Sequence, residues 1–596
     1  MYISQLTLWN FRKYGSENFD LTKPDLIVPF HNGLNVLIGE NNSGKTAIVD
    51  AIKLVLKTHS YEWIKVEKED FHNDETKLRI ELLIKGLEEN EAKNFIEWLG
   101  WDGEKENAKP ILRLIYQVER NEDRILPAEV KAGMDETGHQ LTAEAKDYLK
   151  TTYLKALRDA KSDLIEKKNS RLSQILKEHK SFKTKKTDKK HEFVEEFVKV
   201  NSFIADWFKN VEKSNIKTTI DNFLERFIND LHKSNFSLGD PEITNILEKI
   251  SLAILDKNNP GLGTLNRLYM AAELLHLKRE KWDGLRLCLV EELEAHLHPQ
   301  AQLKIIKALQ SEVKTSGSGK PVQIILTTHS PNLASQVKLH NLILCYKNDV
   351  YPLGEEPVKD KPKKVDYYTK LDKHDYKYLE RFLDVTKANL FFANGIILVE
   401  GWSEEILIPI IADKLKIDLT AKQVSIVNVG STAYMRFAKI FLRNDGKRLE
   451  IPVAIITDLD NRPEKSNNQF DSTKKGEKLL KFKELESAFP ESSIIVERPE
   501  NWTLEWSLYK SELLSPFFKK AVTMVHSRTE EFKEGVFEVN KFISMLRKDE
   551  GHTKIDKVEV AAHLADLIAE SEITKEQIEK DTEIAYLVKA IKHAFQ

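Results

Sequence analysis

The sequence predicts a multidomain α/β protein in which parallel sheets carry the chemistry. Its 596 residues suffice for roughly three or four domains. Several short apolar runs, each followed by a helical pattern, are typical of buried parallel strands. Between two such regions, residues 141–250 are rich in Lys, Glu and Leu and repeat apolar residues at helical spacing, which predicts a helical insertion.

The composition favours a globular chain without a general basic field. It is 41% apolar and 31% charged, with a formal net charge of −3, so contact with nucleic acid must use local patches. The run 183–190 is basic, and is either a solvated loop or a DNA contact. Cys288 and Cys345 lie in apolar runs and are interpreted as buried hydrophobes. No apolar run is as long as the roughly 18 residues that a membrane span requires. The N-terminal residues do not follow a signal-peptide pattern, so we expect a cytoplasmic protein.

The first functional element is a glycine-rich loop between a strand and a helix. The apolar strand Leu34–Ile38 leads into a GxxxxGK[ST] motif, and an apolar-periodic helix follows. In this context the backbone N–H groups cradle phosphates, Lys45 pairs with the β/γ oxygens and Thr46 binds Mg²⁺. The expected nucleotide-binding residues of the loop are Asn41, Asn42, Ser43, Gly44, Lys45 and Thr46.

Two later strands also end in polar residues. Residues 285–290 form a buried strand before Glu291 and Glu292, and residues 323–327 form another before His329. Together with the phosphate loop, these segments resemble the Walker B, D-loop and H-loop of ABC-type ATPases. The resemblance implies that Glu291 holds Mg²⁺ through water, that Glu292 orients the attacking water, and that His329 contacts the γ-phosphate.

Two motifs of this half leave alternatives open. His296 and His298 also fit a pair of metal ligands, although the following Pro299 favours a D-loop. The triplet 10–12, ending in Arg12, resembles the opening of the RecF and SMC branch of ABC ATPases, where the arginine lies near the nucleotide. A surface arginine is the equal alternative.

The segment 261–266 stands where an ABC signature loop belongs and opens a long helix. No serine is clearly placed before its glycines, and the Walker B acid is Glu291 where Asp is usual. We therefore expect slow ATP hydrolysis. ABC sites form between two heads, so the resemblance implies a homodimer, with the helical insertion as its contact.

Carboxylates follow two strands of the C-terminal half. Glu400 ends the run 395–399, with Glu404 one helical turn on, while Asp458 and Asp460 end the run 453–456. Ligands bind at this carboxyl edge in open α/β sheets. Four converging acids would repel one another without a cation, and their oxygens suit Mg²⁺ or Mn²⁺. The alternative is four solvated acids at loop tips.

These acids resemble the Toprim site of topoisomerases, primases and certain nucleases. An ABC-type head joined to a Toprim domain resembles the OLD (overcoming lysogenization defect) nucleases, the family of the Gabija nuclease subunit and of retron-associated effectors. The resemblance implies an ABC/SMC-like ATPase head with an α-helical dimerisation insertion, followed by a Toprim domain with a parallel sheet. It also implies that Glu505 is a metal ligand and that Lys557 is the catalytic lysine, with Lys554 as its rival.

The expected roles and domains follow from this resemblance. The expected catalytic residues are Glu400, Glu404, Asp458, Asp460, Glu505, Lys557 and, for ATP, Glu292. The expected metal ligands are Glu400, Glu404, Asp458, Asp460, Glu505 and Thr46. The expected domains are an N-terminal ATPase lobe (1–140), the insertion (141–250), a C-terminal ATPase lobe (251–350), a linker (351–390) and the Toprim domain with C-terminal helices (391–596).

The expected function is that of a metal-dependent endonuclease that nicks or cuts duplex DNA in anti-phage defence and is regulated by ATP binding to the ABC-type head. The sequence does not fix the sign of the ATP effect, but the resemblance to the Gabija nuclease implies that ATP inhibits cleavage. The expected cofactors are Mg²⁺ or Mn²⁺, two ions in the Toprim site, and ATP with Mg²⁺ in the head. The alternative is an SMC/RecF-like DNA-binding ATPase in DNA repair with a non-catalytic Toprim domain, against which the retained acids argue. We expect a homodimer or a dimer of dimers and no membrane partner. The sequence leaves open whether a helicase or a retron is encoded nearby.

Overall fold

A computed structural model gives the fold in two compact units, residues 1–35 with 46–327 (the first unit) and residues 36–45 with 328–596 (the second unit). It describes the chain except for 60–63, 104–107, 156–163, 180, 183–190, 211–215, 228–232, 256–260, 278–282, 296, 315–320, 357–366, 431–432, 465–468, 488–492, 530–531, 533–536 and 552. The basic run 183–190 and His296 therefore lie outside the described residues.

An antiparallel sheet of eight described strands dominates the start of the first unit. Alternating apolar residues of its long strands are buried on one face, as in the pairing of Leu82 with Leu6 and Leu114. Its strands are Tyr2–Trp9, Leu26–Pro29, Lys77–Lys85, Leu99–Asp102, Lys109–Asn121, Arg124–Ile125, Lys131–Ala132 and His139–Gln140.

Three parallel strands form the sheet in the later part of the first unit. Thr152–Leu154, Leu287–Val290 and Gln323–Thr327 pair in parallel register, and the last two are buried along their whole length, as expected for strands covered on both faces. The Gln323 amide accepts from the Ile3 N–H and donates to the Ile3 carbonyl, each at 2.8 Å, which ties these strands to the antiparallel sheet.

The helices of the first unit include those of the segment 141–250, as its periodicity predicts. That segment also contains the strand Thr152–Leu154, which the prediction of a purely helical insertion does not include. The predicted helix after Gly261 is present. The α-helices that lie in the first unit, or begin at its boundary, are Lys45–Leu56, Glu89–Ala92, Ala143–Tyr148, Arg171–Glu178, Glu192–Lys209, Ile216–Phe227, Ile243–Leu247, Leu262–Leu277 and Pro299–Lys314. Short 3₁₀ turns occupy Lys68–Asp70 and Lys93–Trp98.

A four-stranded parallel sheet organises the second unit. Its order is Val424–Asn428, Gly395–Val399, Val453–Ile456 and Ile494–Glu497, and the two central strands are fully buried. Gly395 packs so closely against the last helix that a Cβ there would lie 1.8 Å from the Ala594 carbonyl oxygen. Only glycine therefore fits at the first position of this strand. The remaining strands among the described residues are Leu34–Ile38, Leu342–Tyr346 and Asp349–Pro352.

Helices cover this sheet and form one apolar core with it. The C-terminal sixty residues are helical, as predicted. The α-helices of the unit are Pro331–Ala334, Lys373–Phe382, Trp402–Lys414, Tyr434–Ala438, Ser472–Ser487, Leu504–Lys510, Ser515–Val525, Val539–Arg547, Lys557–Ala569, Lys575–Lys580 and Ala585–Ala594. Short 3₁₀ turns occupy Leu339–Asn341, Lys387–Phe392 and Lys439–Phe441. Among the described residues, no helix has the length and apolarity that crossing a membrane requires.

Candidate functional site

The predicted carboxylates gather at one edge of the four-stranded sheet. Strands Gly395–Val399 and Val453–Ile456 run in parallel, with Ile396 opposite Val453. The residues that follow the two strands therefore leave the sheet at the same edge. Glu400 follows the first strand directly. Burial raises its pKa, and the negative charge of Asp460 adds to that effect.

Glu404 lies in the first turn of the helix Trp402–Lys414 and is 9% exposed. Burial raises its pKa from 4.5 to about 7, and repulsion from Glu505 and Glu400 acts in the same direction. The helix N-terminus would stabilise an anion, but the shift shows that burial and like charges outweigh it. The carboxyl group thus holds its proton up to neutral pH when no cation balances the cluster.

Asp458 is the most strongly shifted acid of the cluster. Burial raises its pKa well above the ordinary value, and the charges of Glu505, Glu404 and Glu400 raise it further. The N–H of Leu504, the first residue of the helix Leu504–Lys510, donates to Asp458 Oδ1 at 3.1 Å and fixes the side chain.

A partly buried ion pair joins Lys557 to this group. Its Nζ donates to Glu505 Oε2 at 2.7 Å, and the Thr503 hydroxyl donates to the same oxygen at 2.8 Å. Burial alone would lower the pKa of Lys557, but the carboxylates of Glu505, Asp458 and Glu404 raise it above its usual value. The rival Lys554 is exposed, so the contacts favour Lys557 as the lysine of the cluster.

Asp460 does not enter the buried cluster. Its side chain is 47% exposed, its Oδ1 lies 3.7 Å from Arg462 Nε, and its backbone is left-handed with φ of 60°. It reaches the cluster only through its charge on Glu400. The fold therefore brings together a lysine and four acids, while Asp460 lies at the edge of this group. The members of the group are Glu400, Glu404, Asp458, Glu505 and Lys557.

Sequence reasoning missed two hydroxyl groups near the acids, and one of them donates a hydrogen bond to the cluster. The Thr457 hydroxyl donates to Glu400 Oε1 and also contacts the Tyr434 hydroxyl at 3.3 Å. Thr457 directly precedes Asp458, so its place at a strand end was a usable signal. The buried Tyr586 hydroxyl feels the charges of Asp458 and Glu404, which raise its pKa together with burial. It lies 128 residues further along the chain, beyond any local pattern.

This donor set fits a divalent cation. Oxygen ligands from several carboxylates suit Mg²⁺ or Mn²⁺, and a cation would offset the repulsion that raises the pKa values of Glu404 and Asp458. Glu400, Glu404, Asp458 and Glu505 would hold it.

The phosphate loop has the conformation that its glycines allow. Gly39 has φ of 133°, and a Cβ there would lie 2.3 Å from the Cys345 carbonyl oxygen, so only glycine fits. Asn42 and Gly44 also have positive φ. The buried Lys45 Nζ donates to the Gly39 carbonyl at 2.8 Å and to Ser43 Oγ at 2.9 Å, which holds the ammonium over the loop. Asn41 and Thr46 are exposed.

A direct contact links this loop to the strand that precedes Glu400. The Asn394 side-chain amide donates to both oxygens of Glu40 at 3.0 and 3.1 Å. The Asn394 backbone N–H donates to the Gln423 carbonyl at 3.1 Å, at the start of the neighbouring strand. Glu40 lies in the phosphate loop, and sequence reasoning gave it no role.

The acid pair of the first unit has one buried member. Glu291 is 8% exposed and its Oε2 accepts from the Tyr153 hydroxyl. Burial raises the pKa of Glu291, and the charges of Asp50 and Glu292 add to the shift. The Lys53 ammonium lies 3.7 Å from the centre of the Tyr153 ring. Tyr153 is a second residue that the sequence motifs did not indicate.

The other expected ATPase residues are placed as follows. Glu292 has a left-handed backbone with φ of 42°, and its N–H donates to Thr327 Oγ1 at 3.1 Å. Arg12 forms ion pairs with Asp50 and Asp70, each at 2.8 Å. It is therefore part of an ion-pair network in the first unit and not a free surface charge. His329 is half-buried and lies two residues after the end of the strand Gln323–Thr327.

Comparison with known proteins matches both halves of the chain. The model of the family described as AAA ATPase domain matches residues 1–334. The model described as overcoming lysogenization defect protein-like, TOPRIM domain, matches residues 391–460. The second match contains the two strands that end in Glu400 and Asp458.

Individual relatives are more distant. Endonuclease GajA of Bacillus cereus (strain HuB5-5) is 23% identical over 545 residues, which cover 77% of each chain. DNA replication and repair protein RecF of Francisella tularensis subsp. novicida is 28% identical over 185 residues, 29% of this chain and 48% of that protein. The solved C-terminal region of the Burkholderia pseudomallei OLD protein is 24% identical with a TM-score of 0.24, covering 34% of this chain and all of that one. From the first match, the chain belongs to the AAA ATPase domain family, and its second half contains a segment similar to the TOPRIM domain of overcoming lysogenization defect-like proteins.

Proposed function

We propose that the chain is a metal-dependent DNA endonuclease whose activity is governed by ATP binding. The buried cluster of four carboxylates with Lys557, at the carboxyl edge of a parallel sheet, carries this proposal. Burial and like charges raise the pKa values of Glu404 and Asp458, and a divalent cation would reverse this effect. The arrangement is therefore poor for stability and useful for binding metal. The likeness to Endonuclease GajA supports the nuclease assignment.

The chain's residues divide the work of phosphodiester cleavage. Mg²⁺ or Mn²⁺, when bound, polarises the phosphate and supplies a nucleophilic water. Glu400, Glu404, Asp458 and Glu505 hold the cation, and the Thr457 hydroxyl orients Glu400. Lys557, charged because of its carboxylate neighbours, stabilises the negative charge that develops on the phosphate oxygens.

The direct test is incubation of the purified chain with supercoiled plasmid and Mg²⁺ or Mn²⁺. Nicked or linear DNA is the expected product, and EDTA removes the activity. DNA that is bound but never cut, with either metal, would favour the second candidate, an SMC/RecF-like DNA-binding ATPase with a non-catalytic Toprim domain. The likeness to RecF over 185 residues is the observation that supports this second candidate.

ATP acts in this proposal as an effector of the nuclease. The phosphate loop, residues 39–45, belongs to the same compact unit as the carboxylate cluster. Glu40 of the loop bonds Asn394, and the buried strand Gly395–Val399 then runs straight to Glu400. A strand of five residues spans roughly 17 Å and is stiff, so a shift of the loop on nucleotide binding is transmitted to the metal ligand.

Replacing Asn394 with Ala should uncouple ATP from cleavage. The variant loses the two hydrogen bonds to Glu40 but keeps its backbone bond to Gln423, so folding and metal-dependent cleavage persist. We expect the ATP-induced change in nicking rate to fall at least about threefold, because one charge-assisted contact contributes roughly 1 kcal/mol. ATP binding, measured with a fluorescent analogue, stays within about twofold. Asn389→Ala, a change at a nearby exposed position, is the control. An unchanged ATP response in Asn394→Ala would show that this contact does not transmit the signal.

The cluster also predicts how stability and metal binding depend on pH. The folded pKa of Glu404, about 7, exceeds its ordinary 4.5. Its contribution to stability is therefore fully present below pH about 4.5 and is lost as the pH rises through about 7. Divalent cations bind the ionised form, so the Mg²⁺-induced rise in melting temperature should grow over the same window. Thermal unfolding with and without Mg²⁺ between about pH 5.5 and 8 measures it. Glu404→Gln should flatten the trend, and a Mg²⁺ effect independent of pH in the wild type would contradict it.

A homodimer, or a dimer of dimers, is part of the proposal. The helix Glu192–Lys209 of the insertion has no buried residue among those described and exposes Phe193, Val200, Phe203 and Trp207. An apolar stripe of this kind is typical of a helix that packs against a partner, and a second copy of the chain is the partner that head pairing requires. Anti-phage defence is the biological role that the family resemblance favours.

A further inference from the structure

We propose that His59, Glu178 and His276 form a binding site for a borderline divalent transition metal, of which Zn²⁺ is the representative. The three residues lie in the first unit, and none of them belongs to the nucleotide motifs or to the carboxylate cluster. One ligand atom from each, an imidazole nitrogen or a carboxylate oxygen, lies within 4.8 Å of the other two. Two imidazoles and one carboxylate form a ligand set that zinc accepts in proteins, with a fourth position left for water.

The three ligands come from three separate segments. His59 follows the helix Lys45–Leu56 that begins at the phosphate loop. Glu178 is the last residue of the helix Arg171–Glu178, and His276 lies in the last turn of the helix Leu262–Leu277. A metal at this point would join the segment after the phosphate-loop helix to the helix that stands where the ABC signature belongs.

A buried ion pair holds the two helices in register beside the cluster. Arg171 donates to Glu273 through Nε at 2.6 Å and through Nη2 at 2.7 Å, and both residues are almost fully buried. Glu178 lies two helical turns after Arg171, and His276 lies one turn after Glu273, so each ligand shares a helix face with one member of the pair. Arg171 Nη1 also donates to the His59 carbonyl at 3.4 Å, which places the third segment. The ligands are thus brought together by a rigid frame.

The distances fit separate ligands better than a simple ion pair. His276 Nδ1 lies 3.8 Å from Glu178 Oε2, which is too long for a hydrogen bond. The rings of His59 and His276 meet edge to face at 83°, with centroids 4.7 Å apart. Ligands on one zinc ion lie roughly 3–4 Å apart, given bonds of about 2.0–2.2 Å. The Glu178 side chain is 36% exposed, so it can rotate to close the remaining gap.

The chemistry separates this site from the carboxylate cluster of the second unit. Imidazole nitrogens suit Zn²⁺ and other borderline metals, whereas the all-oxygen cluster suits Mg²⁺ and Mn²⁺. Zinc at His59 and His276 should therefore survive an excess of Mg²⁺. The proposal does not depend on nuclease activity, and its test does not use cleavage.

The test is zinc binding by the full chain in excess Mg²⁺. The chain is stripped with EDTA, dialysed against Mg²⁺ with limiting Zn²⁺ and analysed for bound metal, and its affinity is measured by competition with a chromophoric chelator. Glu400→Gln provides a chain with a weakened carboxylate cluster. We expect one zinc per chain in the wild type and in Glu400→Gln. His276→Ala, His59→Ala and Glu178→Gln should each weaken zinc binding by more than about tenfold, since even changes beyond the ligands cost 10–100-fold.

Two controls keep the outcome clear. His139→Ala removes a histidine of the first unit whose side chain is 74% exposed, and it should leave zinc binding unchanged. Glu178→Gln replaces a partly exposed side chain with one of the same size, so it tests the site even where loss of the buried His276 impairs folding. A wild-type chain that holds no zinc in Mg²⁺, or a folded Glu178→Gln chain with wild-type affinity, would overturn the proposal. Loss of zinc from Glu400→Gln alone would place the metal in the carboxylate cluster and overturn it equally.

Discussion

Asp458→Asn and Glu400→Gln should each reduce DNA cleavage by about a thousandfold or more. Both changes preserve side-chain size and remove one negative charge from the cluster that holds the metal. Losing a ligand raises the barrier by several kcal/mol, and about 4 kcal/mol corresponds to roughly a thousandfold in rate. The measurement is the initial rate of plasmid nicking at saturating Mg²⁺ or Mn²⁺.

The same variants should be no less stable than the wild type when metal is absent. Like charges and burial raise the pKa values of Asp458 and Glu400, so a neutral amide relieves repulsion that the acid suffers. Asn at position 458 keeps an oxygen for the Leu504 N–H. A melting temperature at or above that of the wild type, together with lost cleavage, separates a catalytic role from a structural one.

Asp413→Asn is the matched control for these two variants. Asp413 lies on the helix Trp402–Lys414, as Glu404 does, but nine residues further on and exposed. It loses the same charge without touching the cluster, so its nicking rate should stay within about twofold of the wild type. Undiminished nicking by Asp458→Asn would falsify the assignment of this cluster as the active site.

Much of the arrangement could be predicted from short segments because each carries its own signal. The strand Gly395–Val399 is an apolar run that ends in an acid, and such a run has few options other than a buried parallel strand. The phosphate loop is a fixed sequence pattern of glycines and a lysine. The structure confirms the predicted strand before this loop and the predicted helix after it. In both cases local pattern and final structure agree, as expected where every neighbouring residue favours the same element.

What the sequence could not supply are the contacts between distant segments. Tyr153 and Glu291 are 138 residues apart in the sequence, and Asn394 and Glu40 are 354 residues apart. The local sequence around these residues gives no signal that they are in contact. Asp460 is a different case. The sequence places it two residues after Asp458 and predicts the same role for it; its backbone is left-handed and its side chain is 47% exposed, so its place among the metal ligands stays a prediction. Chain geometry after a strand end decides which of two adjacent acids faces inward, and spacing alone does not reveal it.

Lys45→Ala should remove the response of the nuclease to ATP and leave metal-dependent cleavage in place. In the phosphate loop the Lys45 ammonium is held by the carbonyls of Gly39 and Glu40 and by Ser43, where it meets the β/γ oxygens of a nucleotide. Its loss should weaken ATP binding by about a hundredfold or more, because charge-assisted contacts to phosphate are worth roughly 1.5–3 kcal/mol each.

The assay is nicking over a range of ATP and of a non-hydrolysable analogue, with Mg²⁺ held in excess of both. We expect ATP to lower the wild-type rate, as the family resemblance implies, and the analogue to act like ATP, because the effect comes from binding. Lys23→Ala, a change at an exposed lysine outside the loop, should respond as the wild type does.

The ATP effect can be no larger than the difference in ATP affinity between the two states of the chain. Its size in the wild type therefore measures how strongly the phosphate loop and the Toprim strand are coupled. If Asn394 carries that coupling, Lys45→Ala should abolish the response because nucleotide no longer binds, and Asn394→Ala should weaken it at least about threefold with nucleotide still bound. Identical rates at every ATP concentration in the wild type would instead mean that nucleotide binding and cleavage are independent. The contact of Glu40 with Asn394 would then serve only to pack the loop against the strand.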